Sequence, residues 1–391
     1  MQINYNASGY PIKRMIIDKT GNNYCKVSKA WDLCLIPMQV LSKCFPTIEK
    51  DNFYNRLKFE YRPIRKFRGI MHVFNTVYVG KMQWVCTIEY MYPAIYYKMS
   101  KKKIKKYLCK MYKIVLKSNC KRILPMSDFS KNRILEDAYA NLSLDDAKKI
   151  ENKIMVMHPP QRDLITEAEI AQKVCKESDI IFCFVGRDFW RKGGFISFEA
   201  LKKLRCKYTN FRFVVISSLQ DDGGWYVSNR ETIRDELLKA DFVDWYEELD
   251  NDKVIEIMKK SHIGLLPTYG DTYGFSVLEM QACGCPCITT GGFALSEINN
   301  NDFGWVLSLC EEVCDEYSIE RKQILQDSRI DALSEMIETE ILTNDDFIEL
   351  FKKKAINSLN RIINEHNPDV YANRMEQIYA EAINMGMNEN V

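Results

Sequence analysis

The sequence predicts a layered α/β fold built on parallel, doubly wound sheets, and three observations predict it. Short apolar runs alternate with amphipathic helical stretches through both halves of the chain. The loops between them are short, so successive strands must run parallel with helices as crossovers. At 391 residues, 46% of them apolar and 12% aromatic, the chain has material for two packed cores and is not a disordered one.

The first 66 residues are aromatic and irregular, and no element is assigned there. Strands are expected at 68–78, 83–90, 120–127 and 153–160. Among them "KKKIKKYLCKMYKIVL" reads as a helix, because Ile104, Tyr107, Leu108, Met111 and Val115 recur at helical spacing. "SKNRILEDAYANL" reads as another, with Ser130 as its cap. The polar stretch 159–169 marks a domain boundary. Beyond it strands are expected at 179–186, 211–218, 241–247, 262–267 and 285–290, with helices near 194–206, 229–240, 251–260 and 276–283. The remainder, about 310 to 386, is mostly helical and acidic.

Charge and cysteine usage narrow the function. A net charge of +2 gives no whole-protein field to draw nucleic acid. The local exception is Lys98 to Arg122, which holds ten lysines, one arginine and no acid. No apolar run reaches the roughly 18 residues of a membrane span. Fourteen cysteines without a secretory leader point to reduced thiols in a cytosol-like compartment. Cys283, Cys285 and Cys287 alternate across a helix end and a strand, an awkward geometry for a shared metal, so they read as small buried residues. The histidines His72, His158, His262 and His366 are isolated, and His262, entering a buried strand, reads as a satisfied core residue. His158 lies at the domain junction, and its role stays open.

The chemistry concentrates in "LLPTYGDTYGFSVLEMQACGCPCITT". Pro267 ends a strand, Ser276 opens a helix, and Gly284 ends that helix as a left-handed cap. Ligands of open α/β sheets bind outside the carboxyl ends of strands, where this loop sits. Helix-start N–H groups suit a phosphate, and Gly274 permits close approach. Ser276-Val-Leu-Glu279 also fits a capping box, and Asp271 fits a turn, so structural and ligand roles both stand for the two carboxylates. A second feature, "FVGRDFWRKGG", places Arg187 and Lys192 at the mouth of a strand, a pair apt for a diphosphate.

Together these segments resemble the carboxyl half of the retaining GT-B glycosyltransferases, specifically glycosyltransferase family 4 (glycosyl transferases group 1), whose hallmark is two acidic residues separated by seven. The likeness is close over about 180–306 and weaker over 72–160. It implies two Rossmann-like doubly wound domains facing each other across a cleft: an acceptor domain at 1–163, a nucleotide-sugar domain at 164–370, and a C-terminal helix, 371–391, packing back on the first. It further implies that Arg187 and Lys192 hold the donor diphosphate, that Glu279 binds the ribose, and that Asp271 contacts the sugar. Gly274, Phe275 and Ser276 complete the cradle. No metal and no cofactor beyond the nucleotide-sugar donor are implied. The acceptor would be a saccharide or lipid-linked one in surface polysaccharide or glycolipid assembly, with anomeric configuration retained. The location would be cytoplasmic, on the inner membrane face, with Lys98–Arg122 as the contact and no nucleic-acid partner.

The sequence departs from the family pattern at three points. Asp271 stands where Glu is usual. In "TIEYMYP", Glu89 takes the place of a histidine beside the reacting sugar and is the catalytic candidate there, while Tyr90 replaces an Asp. The amino-terminal glycine-rich loop is not recognisable. These departures keep an alternative open, a glycosyltransferase-like binding subunit impaired in catalysis. A pyridoxal-phosphate lysine motif and an early Gly-x-Gly-x-x-Gly are both missing, which argues against a phosphorylase and a nicotinamide dehydrogenase.

Overall fold

The computed structural model describes residues 1–27, 33, 59–94, 100–173, 179–220, 230–307 and 319–388. The chain divides into two compact units, Met1–Pro160 with His366–Val391, and Gln161–Glu365.

The first unit holds a five-stranded parallel sheet. Its strands are β1 (Gln2–Tyr5), β2 (Asn23–Lys26), β4 (Ile70–Phe74), β6 (Trp84–Ile88) and β7 (Cys120–Pro125), in the order β2-β1-β4-β6-β7. A parallel pair, β3 (Glu60–Tyr61) and β5 (Val77–Tyr78), stands apart from it. Strands β4 and β6 are buried at every residue, as expected of strands covered on both faces. The helix Lys101–Val115 supplies part of that cover through Tyr107, Leu108, Met111, Tyr112 and Val115, while Lys102, Lys105, Lys106 and Lys113 stay exposed.

Three expectations need correction here. The opening stretch is not wholly irregular: β1 lies inside the sheet, and Asn4, polar and buried, fits because its amide donates to the carbonyls of Arg68 and Ile70. The segment 153–160 forms no strand. It runs along β7 with Met155 N on the Ile123 carbonyl and Met157 N on that of Pro125, but makes a single bridge, Ile123 to Ile154. The helix Asp128–Asn141 is capped by Ser127, whose hydroxyl accepts from Ser130 N at 3.0 Å, and Ser130 itself donates to the Tyr90 carbonyl.

The C-terminal helix Pro368–Asn388 belongs to this first unit. Its Tyr379 hydroxyl meets His72 Nδ1 at 2.7 Å, and His72 Nε2 meets Thr87 Oγ1 at 2.8 Å, all deep in the sheet.

The second unit holds a six-stranded parallel sheet of β8 (Ile180–Val185), β9 (Phe211–Ile216), β10 (Val243–Tyr246), β11 (Ile263–Leu266), β12 (Cys287–Thr290) and β13 (Trp305–Leu307). The order is β10-β9-β8-β11-β12-β13. The chain winds outward from β8 through β9 to β10, then returns to the other side of β8 as β11. The order therefore reverses between β8 and β11, which are directly paired at Ile263–Phe182 and Gly264–Cys183. Such a reversal places a crevice at the carboxyl ends of the two strands, because the crossovers that follow them leave to opposite faces of the sheet.

Candidate active site

The crevice between β8 and β11 is built from two loops, residues 186–193 after β8 and 267–274 after β11. Their backbones touch. Gly193 has φ +83°, and a Cβ there would lie 2.4 Å from the Pro267 carbonyl oxygen, so only glycine fits. Arg191 fastens the loops further. Its carbonyl accepts from Tyr269 N and from Thr268 Oγ1, each at 2.9 Å, and its guanidinium donates to the Gly270 carbonyl. The same guanidinium pairs with buried Asp188 at 2.5 Å. From the helix Ile319–Ile337, Arg329 donates to the Thr268 carbonyl at 2.8 Å and lies over the Tyr269 ring at 4.0 Å.

This scaffold brings Lys192 and Asp271 together, with Nζ 3.1 Å from Oδ2. Asp271 is 9% exposed. Its Oδ1 accepts from the backbone N–H of Tyr273 at 3.3 Å and of Gly274 at 3.0 Å, while Oδ2 has the lysine as ion-pair partner and no aligned hydrogen-bond donor. Burial alone would push this carboxyl up. Lys192 beside it, Arg191 and the Tyr273 amide outweigh burial and hold it below the ordinary carboxylate value.

The helix that follows, Phe275–Ala282, starts one residue earlier than the sequence suggests, with Gly274 as its N-cap in the left-handed region at φ 87°. The Ser276–Glu279 capping box is not formed, because Ser276 already lies inside the first turn and no side chain caps the helix. Asp271 instead shapes the entry by holding the Gly274 N–H. The cap expected of Glu279 is therefore not made, while Asp271 takes the turn role that the sequence offered it. Ser276 Oγ is buried with no hydrogen-bond partner among the described residues. The helix ends as expected. Gly284 adopts φ +60°, its N–H reaches the Gln281 carbonyl and that of Cys285 the Met280 carbonyl, the double bond of a Schellman motif. Lys173 adds a second closure by donating to the carbonyls of Cys283 and Gly284 at 2.7 and 3.0 Å.

Of the residues singled out from sequence, Lys192, Asp271, Gly274, Phe275 and Ser276 thus share one crevice wall and helix start. Arg187 sits on the same loop as Lys192, its side chain exposed, its carbonyl accepting from Gln220 N at 3.1 Å. Glu279 lies in the second turn of the helix and is half-buried. Glu89 belongs to the other unit, just past β6, where its N–H donates to Asn75 Oδ1 at 2.9 Å. Cys283, Cys285 and Cys287 are buried, and burial pushes the first two thiols up to about 12, well away from ligand or nucleophile chemistry at neutral pH. His262 is buried with both ring nitrogens satisfied, by Ile181 N and the Lys173 carbonyl. Sequence reading missed Arg191 and Arg329. Asp188 and Arg191, three apart in a turn, were a legible pair, whereas nothing local marks Arg329 as a neighbour of Tyr269.

A lysine able to meet a diphosphate, a carboxylate able to take hydroxyl donors, and a helix start able to take phosphate oxygens converge at this switch point. Solved structures with the same fold are glycosyltransferases of the GT-B class. A glycosyltransferase from Rickettsia africae aligns at TM-score 0.57 and 18% identity, over 97% of this chain and 90% of that one. A sucrose-phosphate synthase from Thermosynechococcus elongatus aligns at 0.56 and 14%, over 98% and 99%. Anabaena HepE, solved with UDP and glucose, aligns at 0.56 and 11%, over 97% and 100%. A search of curated proteins gave no match. Residues 166–335, which contain the whole crevice, match the family described as glycosyl transferases group 1. The chain has the GT-B fold, and residues 166–335 of its second unit are similar to the group 1 glycosyl transferases.

Proposed function

We propose that the protein moves a sugar from a nucleotide-sugar donor to a saccharide or lipid-linked acceptor with retention of configuration, in surface polysaccharide or glycolipid assembly. The observation that carries this reading is the Lys192–Asp271 pair at the switch point of the group 1 domain. Relatives in fold support the donor class: Anabaena HepE was solved with UDP and glucose, and a pneumococcal O-GlcNAc transferase with UDP and GlcNAc. A trehalose-6-phosphate synthase studied for glycosyl transfer with retention also shares the fold, at TM-score 0.55. In this reading Lys192 and Arg187 neutralise the diphosphate and stabilise the leaving nucleotide without a metal. Helix-start N–H groups at Phe275 and Ser276 take phosphate oxygens, Glu279 takes the ribose hydroxyls and Asp271 the sugar. Fixed positive charge on the leaving oxygens is the main source of rate.

Lys192→Ala and Arg187→Ala should each lower turnover by about 10²–10³, the usual loss on removing one preorganised group. The measurement is release of nucleoside diphosphate from a panel of nucleotide sugars, with and without saccharide acceptors. Near-parent turnover in either variant removes that residue from the mechanism, and no release from any donor favours the binding-subunit reading.

The cytoplasmic, membrane-associated part of the proposal rests on the lysine helix. No helix among the described residues is long and apolar enough to cross a membrane. Lys102, Lys105, Lys106, Lys113 and Lys117 are exposed and have no ion-pair partner among the described residues, an array suited to anionic lipid headgroups at about 1 kcal/mol per lysine.

A further inference from the structure

The crevice holds its own neutralising pair. Asp271 Oδ2 and Lys192 Nζ are 3.1 Å apart, in a site where the carboxylate is nearly out of water. A diphosphate arriving on Lys192 must therefore take the lysine from its carboxylate. It would also come to lie beside a buried anion whose other oxygen is already committed to Tyr273 and Gly274. Those two backbone bonds hold the carboxylate in place, so it cannot swing away to water.

Given the nucleotide-sugar reading above, on which this inference rests, we propose that the Asp271–Lys192 pair is a latch that admits the nucleotide sugar and expels the spent nucleotide. A nucleotide sugar brings its own compensation: as the diphosphate draws Lys192, the sugar hydroxyls donate to Asp271 Oδ2, which has no aligned donor of its own. A bare nucleoside diphosphate offers no such donor. It leaves Asp271 as a buried, unpaired anion facing another anion, which is costly. Once the sugar has left for the acceptor, the site returns to that unfavourable state. Asp271 then recaptures Lys192, and the nucleotide loses its main cation. Asp271 is thus a specificity-determining residue for donor over product.

The test compares affinities. Asp271→Asn removes the charge yet keeps an Oδ1 that can accept from Tyr273 and Gly274, so the turn should survive. Asp271→Ser, a second turn-forming residue, is the control for a variant that misfolds. UDP, GDP and ADP, each bare and as the glucose conjugate, together with UDP-GlcNAc, are titrated calorimetrically into parent and variants. In the parent the sugar conjugate of the preferred base should bind more tightly than the bare diphosphate. In both variants the bare diphosphate should bind about tenfold more tightly than in the parent, because Lys192 is released, and the conjugate about tenfold more weakly, the usual scale of one charge-assisted bond. A merely structural role for Asp271 moves both affinities in one direction, and that result, or no change in either, overturns the latch. A parent that binds none of the probes overturns the donor reading itself and the latch with it.

Discussion

Asp271 shows how one side chain divides its work between two oxygens. Oδ1 is committed to the backbone of its own turn, and Oδ2 faces Lys192. The two jobs separate by substitution. Asp271→Asn should cost well under about 1 kcal/mol of stability in urea unfolding, since an amide oxygen accepts the same two N–H bonds, yet lower turnover by orders of magnitude. Asp271→Ala should cost about 1–3 kcal/mol, because two buried N–H groups lose their acceptor. The sequence presented Asp271 as a turn residue and a ligand candidate at once, and nothing local ranked them. It misled for Ser276 and Glu279, because Ser-x-x-Glu looks like a capping box whether the helix starts at 276 or one residue earlier. Only the left-handed Gly274 and its contact with Leu295, distant in sequence, fix the start. Arg329 was illegible for the same reason: its partner Tyr269 lies on another element altogether.

Among elements, the central strands of the second sheet were the most legible. Strands buried on both faces write themselves as unbroken apolar runs, and β8 and β11 do so. Strands β1 and β13 escaped because they are short, and β1 carries a buried Asn that reads as a loop residue. The junction of the two crevice loops leads to a prediction at this scale. Gly193→Ala sets a Cβ against the Pro267 carbonyl while demanding a left-handed backbone, so stability should drop by about 2 kcal/mol or more in thermal or urea melts. Turnover should fall further than stability does, because Lys192 is the preceding residue. The lysine helix gives another. Replacing Lys105, Lys106 and Lys113 together by Glu should abolish sedimentation with anionic vesicles and leave donor hydrolysis in solution unchanged. Equal binding of the parent to neutral and anionic vesicles would sink the membrane proposal.

For the whole molecule, a fully buried polar tie joins the two ends of the first unit's sequence: His72, locked between Thr87 and the Tyr379 hydroxyl. Burial lowers this imidazole from its ordinary value of 6.5 to about 3, so it stays neutral in the folded protein. Above pH 6.5 it is neutral in both states and contributes no slope. As pH falls below that, the unfolded chain binds a proton that the folded chain refuses, and stability declines at about 1.4 kcal/mol per unit, roughly 2 kcal/mol by pH 5. Urea unfolding at stepped pH should show this slope in the parent. It should shrink by that amount in His72→Gln, whatever that variant's absolute stability. The parallel-sheet architecture around this tie was legible from alternation alone. The tie itself was not, since His72 and Tyr379 stand at opposite ends of the sequence.

That separation sets an order of events as the chain leaves the ribosome. The second unit is one continuous stretch, Gln161–Glu365, and can close as soon as it has emerged. The first unit, although begun earlier, must wait with the Nδ1 of His72 unanswered until Tyr379 arrives. Chains arrested just after Glu365 should accordingly resist protease across the second unit while remaining open to cleavage in residues 1–160, so the half of the chain made first is the half finished last.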